Sequence, residues 1–324
     1  MNDNDKNNLS KTPEMKAPMR RYILPLLAAV FFLIVTLRLV HLMNTSGEPY
    51  RQYTLRSTRN LIASVMEARK LLKQHGKSAF SKLDEMKSNQ WGIYLYVYRV
   101  SDCLCLYHGN NPNLVGRRLD TFTDQLGKNL HQLISAQIHN PRNPHGWAHY
   151  FWHRPDELFL EWKSSCNQAV TLPDGTECFV GGGLYGVSTE IEFARIAVNE
   201  AVHLLSTRAA AGLDELLSPA SQFFFYGTSV FVAKNDGWSI IDPMLKKRYK
   251  RDLKVFKDAA GNYPFKALLQ NLKTASEAQI VLYQRSPASM NLAKKIMYAR
   301  KCMMGTETII VGTVIDAPQS AWQL

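Results

Sequence analysis

The sequence predicts an α+β protein: a single N-terminal transmembrane helix followed by two similar modules, each built on an antiparallel sheet. Three observations carry this reading. An uncharged apolar run lies near the N-terminus, a set of landmarks recurs about 130 residues apart, and aromatic strand patterns alternate with turn signals.

The apolar run YILPLLAAVFFLIVTL spans Tyr22 to Leu37, and with Arg38 and His41 snorkelling it continues to Met43, 22 residues in all. That length crosses a bilayer. Lys16, Arg20 and Arg21 immediately precede it, so the positive-inside rule keeps residues 1–21 in the cytoplasm and exports the rest. A cleaved signal peptide is the alternative, but Met-Asn-Thr-Ser-Gly at residues 43–47 lacks a small-x-small alanine site. The expected location is the cytoplasmic (inner) membrane, single-pass, with everything after the span in the periplasm or outside the cell and membrane lipid as a partner of the anchor.

Composition agrees with folded, exported modules. Hydrophobic residues make up 46% and charged residues 20%, too apolar for long-range disorder. The excess of 39 Lys+Arg over 27 Asp+Glu could attract nucleic acid or an anionic membrane. The densest basic run, Lys246 to Lys257, reads as a solvated face, and nucleic acid is not an expected partner. Five cysteines suit an oxidising compartment without forming a disulfide framework. Cys166 and Cys178 flank Leu-Pro-Asp-Gly at residues 172–175, and a hairpin there admits a bridge between them.

Lys82-Leu-Asp-Glu-Met-Lys-Ser88 recurs as Gly212-Leu-Asp-Glu-Leu-Leu-Ser218. Four further pairs follow in order: Asn111-Pro112 with Asp242-Pro243, Asp124-x-x-Gly127 with Asp258-x-x-Gly261, Lys163 with Lys295, and Val180-Gly181 with Val311-Gly312. Five ordered matches at offsets of 130 to 134 indicate a duplication, with modules at 44–188 and 189–324. Each copy opens on a helical lead-in, Thr54 to Met86 or Glu190 to Leu217, followed by an aromatic strand, a turn-rich connection, a helix and further strands. In the first copy Tyr94, Tyr96 and Tyr98 alternate and share a sheet face, which is either core or pocket. A helix to about His139 precedes three strands, at Gly146 to His153, Leu158 to Ser165 and Glu177 to Tyr185.

These residues resemble the extracytoplasmic Cache family of PAS-like modules, in its single-Cache type. The resemblance rests on His108, Asn111 to Gly116, Asp124 to Lys128, Gly146 to Trp152, Lys163 and Val180 to Tyr185, over some hundred residues of the first copy. It implies a pocket for a small molecule, often a short carboxylate, whose occupancy is reported across the membrane. Tyr150, Trp152 and Lys163 are the leading ligand-binding candidates, with His108, Trp147, Arg118 and Tyr96 behind them. Arg117 is an alternative to Arg118 as a bidentate clamp. The second copy looks degenerate: Tyr283 and Lys295 remain, Arg285 stands for Trp152, and the Asn-Pro-x-Leu-Val-Gly run has become Asp-Pro-Met-Leu-Lys-Lys. The first copy, not the second, is therefore expected to bind.

His145, His149 and His153 recur every four residues, but Pro141, Pro144 and Gly146 favour a strand, on which only His149 and His153 share a face, so a metal site is not expected. The glycines at 181–183 lack the Lys-Ser/Thr of a phosphate loop and read as a bulge or close packing. Gly-x-Ser-x-Gly, His-Glu-x-x-His and Cys-x-x-Cys are all missing, so no enzyme, cofactor or metal is expected. The expected partners are a small-molecule ligand and a separate signalling protein, because about 20 cytoplasmic residues hold no output domain. A homodimer is one admissible assembly. The competing function is a structural or assembly protein that uses a degenerate Cache pair as a protein-interaction scaffold.

Overall fold

The computed structural model describes residues 50–86, 93–154, 157–285 and 291–318. The expected anchor at 22–43, like Trp91 and Gly92 of the first aromatic strand, lies outside the described residues. Among those residues no helix is long and apolar enough to cross a membrane.

The chain from Tyr50 onward begins with helix α1 (Arg56–His75). Leu61, Ile62, Val65, Ala68 and Leu72 fall on one face of it at helical spacing and are fully buried. The lead-in expected to run unbroken to Met86 stops here, because Gly76 takes φ +58° and its N–H caps the carbonyl of Leu72. A 3-10 turn and short helix α2 (Phe80–Glu85) follow. Strands β1 (Leu95–Arg99), β2 (Cys105–His108), β3 (Ala148–His153), β4 (Leu160–Thr171) and β5 (Glu177–Tyr185) then form an antiparallel sheet of order β2-β1-β5-β4-β3, with helix α3 (Leu130–Gln137) between β2 and β3.

The second half repeats this plan. Helices α4 (Ile191–Arg208) and α5 (Leu213–Leu217) lead into β6 (Val230–Lys234), β7 (Ser239–Asp242), β8 (Lys247–Arg248), helix α6 (Pro264–Asn271), β9 (Glu277–Arg285), β10 (Leu292–Met304) and β11 (Glu307–Asp316). The second sheet runs β8-β7-β6-β11-β10-β9, the order of the first with one short edge strand added. The two sheets share no strand.

The repeat extends to hydrogen bonds. Asp124 accepts the amides of Leu126 and Lys128 on one carboxylate oxygen and that of Phe151 on the other. Asp258 accepts Ala260 and Asn262 on one oxygen and Tyr283 on the other. In both copies a buried carboxylate closes an Asp-x-x-Gly turn and pins it to the strand that follows. Phe151 therefore corresponds to Tyr283, which corrects the sequence alignment by one residue: Gln284, not Arg285, stands in the place of Trp152, and Leu282 in that of Tyr150. The ladders confirm the frame, pairing Tyr150 with Lys163 and Leu282 with Lys295.

One apolar core links α1 and α4 to the inner faces of both sheets, through residues such as Leu95, Val97 and Val180 in the first and Val232, Ile296 and Val311 in the second. Each sheet keeps its other face for a separate core under its own helix, α3 in the first copy and α6 in the second. Polar ties bind the halves. The Glu190 carboxylate accepts the Thr54 and Leu55 amides at the start of α1. Buried Lys128 donates to His149 O at 2.8 Å and to Phe224 O at 2.5 Å. Arg142 pairs with Glu200 at 2.7 Å.

All five cysteines are free. The hairpin pairs Cys178 with Val170 and Cys166 with Gly182, so the two are four rungs apart, about 13 Å along the strands. A disulfide between them is out of reach.

Candidate ligand-binding site

Strand alternation sends Tyr94, Tyr96, Tyr98, Ala148, Tyr150, Trp152, Lys163, Ser165 and Asn167 to the face of the first sheet that lies under α3. Lys163 is 1% exposed, yet no carboxylate among the described residues pairs with it. Its ammonium donates to the Tyr94 hydroxyl at 2.7 Å. Five ring centroids surround it: Tyr94 at 4.5 Å, Tyr96 at 5.1 Å, Trp152 and Tyr185 at 5.8 Å, and Tyr150 at 6.0 Å. The ring faces offset part of the lost hydration. They do not replace a counter-ion, and burial pulls the Lys163 ammonium down to about 7.

A directed relay leaves this cage. Tyr185 donates to the carbonyl of His153 at 2.7 Å, so the 3.2 Å contact between the Tyr94 and Tyr185 hydroxyls uses the Tyr94 proton, and the Tyr94 oxygen is free to accept from Lys163. His108 is buried beside Tyr94 and Tyr96, and its Nδ1 accepts the Asn111 amide at 2.9 Å. Burial, then the neighbouring Lys163 charge, hold its imidazole down to about 3, so it is neutral with its proton on Nε2. Tyr96 donates to Asn167 Oδ1 at 2.9 Å.

The cavity bounded by Tyr96, Tyr98, His108, Tyr150, Trp152 and Lys163 encloses about 30 Å³, and half-buried Leu119 and Trp152 line it where it nears solvent. That is room for a water or two, or for an acid of two or three carbons if the rim gives slightly. A lone cation, a neutral N–H donor and hydroxyls inside aromatic walls can desolvate a carboxylate and neutralise it at once.

The structure brings five of the seven sequence-derived candidates together at this cavity: His108, Tyr96, Tyr150, Trp152 and Lys163. Trp147 is not among them. It lies on the other face, where its indole N–H donates to Tyr53 at 2.8 Å and its ring packs on Phe193, because it is out of phase with Tyr150 on the strand. Arg118 is also elsewhere, exposed and held by Asp120 at 3.0 Å and Asp102 at 3.8 Å. Arg117 is exposed as well. Of the three histidines, His145 contacts Tyr53 and His149 contacts Ser164 on the far face, while His153 is exposed.

The glycines at 181–183 are part of this site, which sequence reasoning reached only as close packing. A Cβ on Gly183 would stand 2.3 Å from Lys163 Cε, and one on Gly181 would stand 2.4 Å from Asn167 Oδ1 and 2.6 Å from the Tyr96 ring. Bare backbone at these two positions lets Lys163 and Tyr96 lie flat on β5. Gly183→Val is expected to expel the Lys163 side chain from the cage. Expected readouts are a loss of anion binding of about tenfold or more and destabilisation of about 1–3 kcal/mol from overpacking, checked by calorimetry and denaturant titration.

The second copy differs from the expectation set by its degenerate motifs. Its corresponding face holds the roomier cavity, about 280 Å³. Its lysine, Lys295, is ion-paired with Asp316, which pairs across the ladder where Tyr185 faces Lys163 in the first copy.

No family model matches the chain, and no curated protein matches it. Solved structures do. One is a methyl-accepting chemotaxis protein from Vibrio parahaemolyticus RIMD 2210633, at 19% identity over 40% of this chain and 87% of that one, with a TM-score of 0.33. A Cache chemosensory domain, described for carboxylic acid recognition, matches at 19% identity over 40% of this chain and 92% of its own, also at 0.33. The ligand-binding domain of the Pseudomonas aeruginosa PAO1 amino acid chemoreceptor PctB, in complex with L-Arg, matches at 9% identity over 81% of this chain and 88% of its own, with a TM-score of 0.25. The similar solved structures are sensor domains of chemotaxis receptors and histidine kinases.

Proposed function

We propose that this protein is a membrane-anchored extracytoplasmic sensor whose first module, within 44–188, binds a small monoanion such as a short carboxylate, and whose second module spans 189–324. The observation that carries the reading is Lys163, a buried cation with five aromatic neighbours and no carboxylate partner among the described residues. A charge placed so at rest destabilises the fold, and an entering anion relieves that penalty. The second copy's lysine already has Asp316 and lacks this drive. Lys128 ties the strand that carries Tyr150 and Trp152 to the segment between α5 and β6 of the second module, which supports transmission of occupancy towards a separate partner protein. Export is supported by the charge pattern around residues 22–43.

The test is a thermal-shift screen of a fragment beginning at Ser46. Short carboxylates should raise the melting temperature, and the matching amides and amines should not. A shift with amines alone would reject the anionic ligand. Reporter fusions at the C-terminus should be active only outside the cytoplasm.

One observation favours the scaffold reading. Leu158 and Phe159, just before β4, are 84% and 78% exposed, an apolar pair presented to solvent. If no small molecule shifts the fragment while Leu158→Asp releases a co-purifying partner, the scaffold reading stands instead.

A further inference from the structure

The second module's cavity goes beyond that reading, because its chemistry differs from that of the Lys163 cage. The ladder frame explains why it is open. Tyr94 and Tyr98 of the first copy are replaced by Ser229 and Ala233, since Val97 and Val232 hold equivalent places beside Val180 and Val311. Tyr150 is replaced by Leu282, and Trp152 by Gln284. The rings that reduce the first cavity to about 30 Å³ are gone, and the space widens to about 280 Å³. The tyrosine hydroxyls of the first cage leave with those rings, and Tyr226, Thr228 and Ser229 line this cavity instead.

What remains is a floor of Phe231, Phe265, Leu282 and Met297, all buried, with half-buried Phe256 and Val314 beside it. The charges are unequal. Of the two acids on the wall, Asp316 is held by Lys295 and Asp258 spends both oxygens on backbone and Asn262 donors. Lys246, Lys257 and Arg285 line the same space, and no ion pair among the described residues ties any of them to a carboxylate. An apolar body and one negative charge match this combination of floor and rim. We propose that the second module binds an amphiphilic monocarboxylate, an aryl or medium-chain acyl acid, with its apolar part on the Phe231–Phe265–Met297 floor and its carboxylate at the cationic rim.

The probe is para-fluorophenylacetate, observed by fluorine NMR with the full-length chain in lipid nanodiscs. Binding tighter than about 1 mM is expected, with para-fluorophenethyl alcohol at least about tenfold weaker. Ser229→Tyr and Leu282→Tyr each restore a ring of the first copy, and each should abolish binding while the chain stays folded by circular dichroism. Lys163→Met should leave this binding unchanged, so the outcome is independent of the fate of the first site. The proposal is overturned by no binding to the wild-type chain at about 1 mM, by equal binding of the alcohol, or by tighter binding of para-fluorophenylalanine. Binding that survives in both tyrosine variants, or disappears in Lys163→Met, overturns it too.

Discussion

Lys163→Met should make the protein more stable and unable to bind its anion. Methionine keeps most of the aliphatic stem inside the aromatic cage and removes the unpaired charge. Removing a charge-assisted contact inside the site costs about 1.5–3 kcal/mol of binding, at least tenfold in affinity. The stability change has the opposite sign. Holding an ammonium in a site that pulls it from 10.5 to about 7 costs several kcal/mol at neutral pH, and the variant escapes that cost. A melting temperature several degrees higher is therefore expected in the absence of ligand. Calorimetry and thermal denaturation of the same variant check both parts. A lysine with a structural role would give the reverse, and a destabilised variant that still binds would remove Lys163 from the site.

The pH dependence of binding should be equally large. Above about 7 the empty site loses the Lys163 proton, so an anion that needs the ammonium must recruit one. Affinity for an acid ionised throughout the range should be flat below pH 7 and fall about tenfold per unit above it, with proton uptake on binding. Calorimetry in buffers of different ionisation enthalpy detects the uptake directly. His108, held down to about 3, does not titrate in this window.

The unliganded stability has its own sign. Between about 7 and 10.5 the unfolded chain carries a proton on this lysine that the folded chain does not, so stability rises with pH across that window and is flat below it. Lys128, lowered to about 8 by burial despite Asp124, adds a second rise between about 8 and 10.5. Lys246 is also lowered by burial and acts in the same direction. Lys163→Met should remove only the part that begins near pH 7. A variant with an unchanged profile would place the titration on another group.

Much of the candidate site is legible in the sequence. Alternation placed Tyr94, Tyr96 and Tyr98 on one face, and the resemblance singled out Tyr150, Trp152 and Lys163. Strand parity and turn register also bear on Trp147 and on the Cys166–Cys178 pair. Trp147 is an odd number of residues from Tyr150 and so points to the opposite face of a strand. The turn at 172–175 pairs Val170 with Cys178, which already sets Cys166 four rungs away. The alignment of the copies was harder. His108 and Asp242 occupy equivalent ladder positions, yet the shared turn chemistry before proline suggested Asn111 for Asp242, because the connecting loops differ in length.

The amino-acid sequence alone determined the duplication, the strand and helix types, and the parity of each strand, because turn chemistry and side-chain period are local properties of a chain. Tertiary structure decided the rest. That Lys163 has five rings and, among the described residues, no paired acid around it, that Gly181 and Gly183 clear its path, and that Ser229, Ala233 and Leu282 open the second cavity all depend on several strands converging, with Tyr94 standing 69 residues from Lys163 in the chain. A lysine's protonation and a cavity's volume are set by which distant side chains arrive and how much water they exclude, and no single strand carries that information.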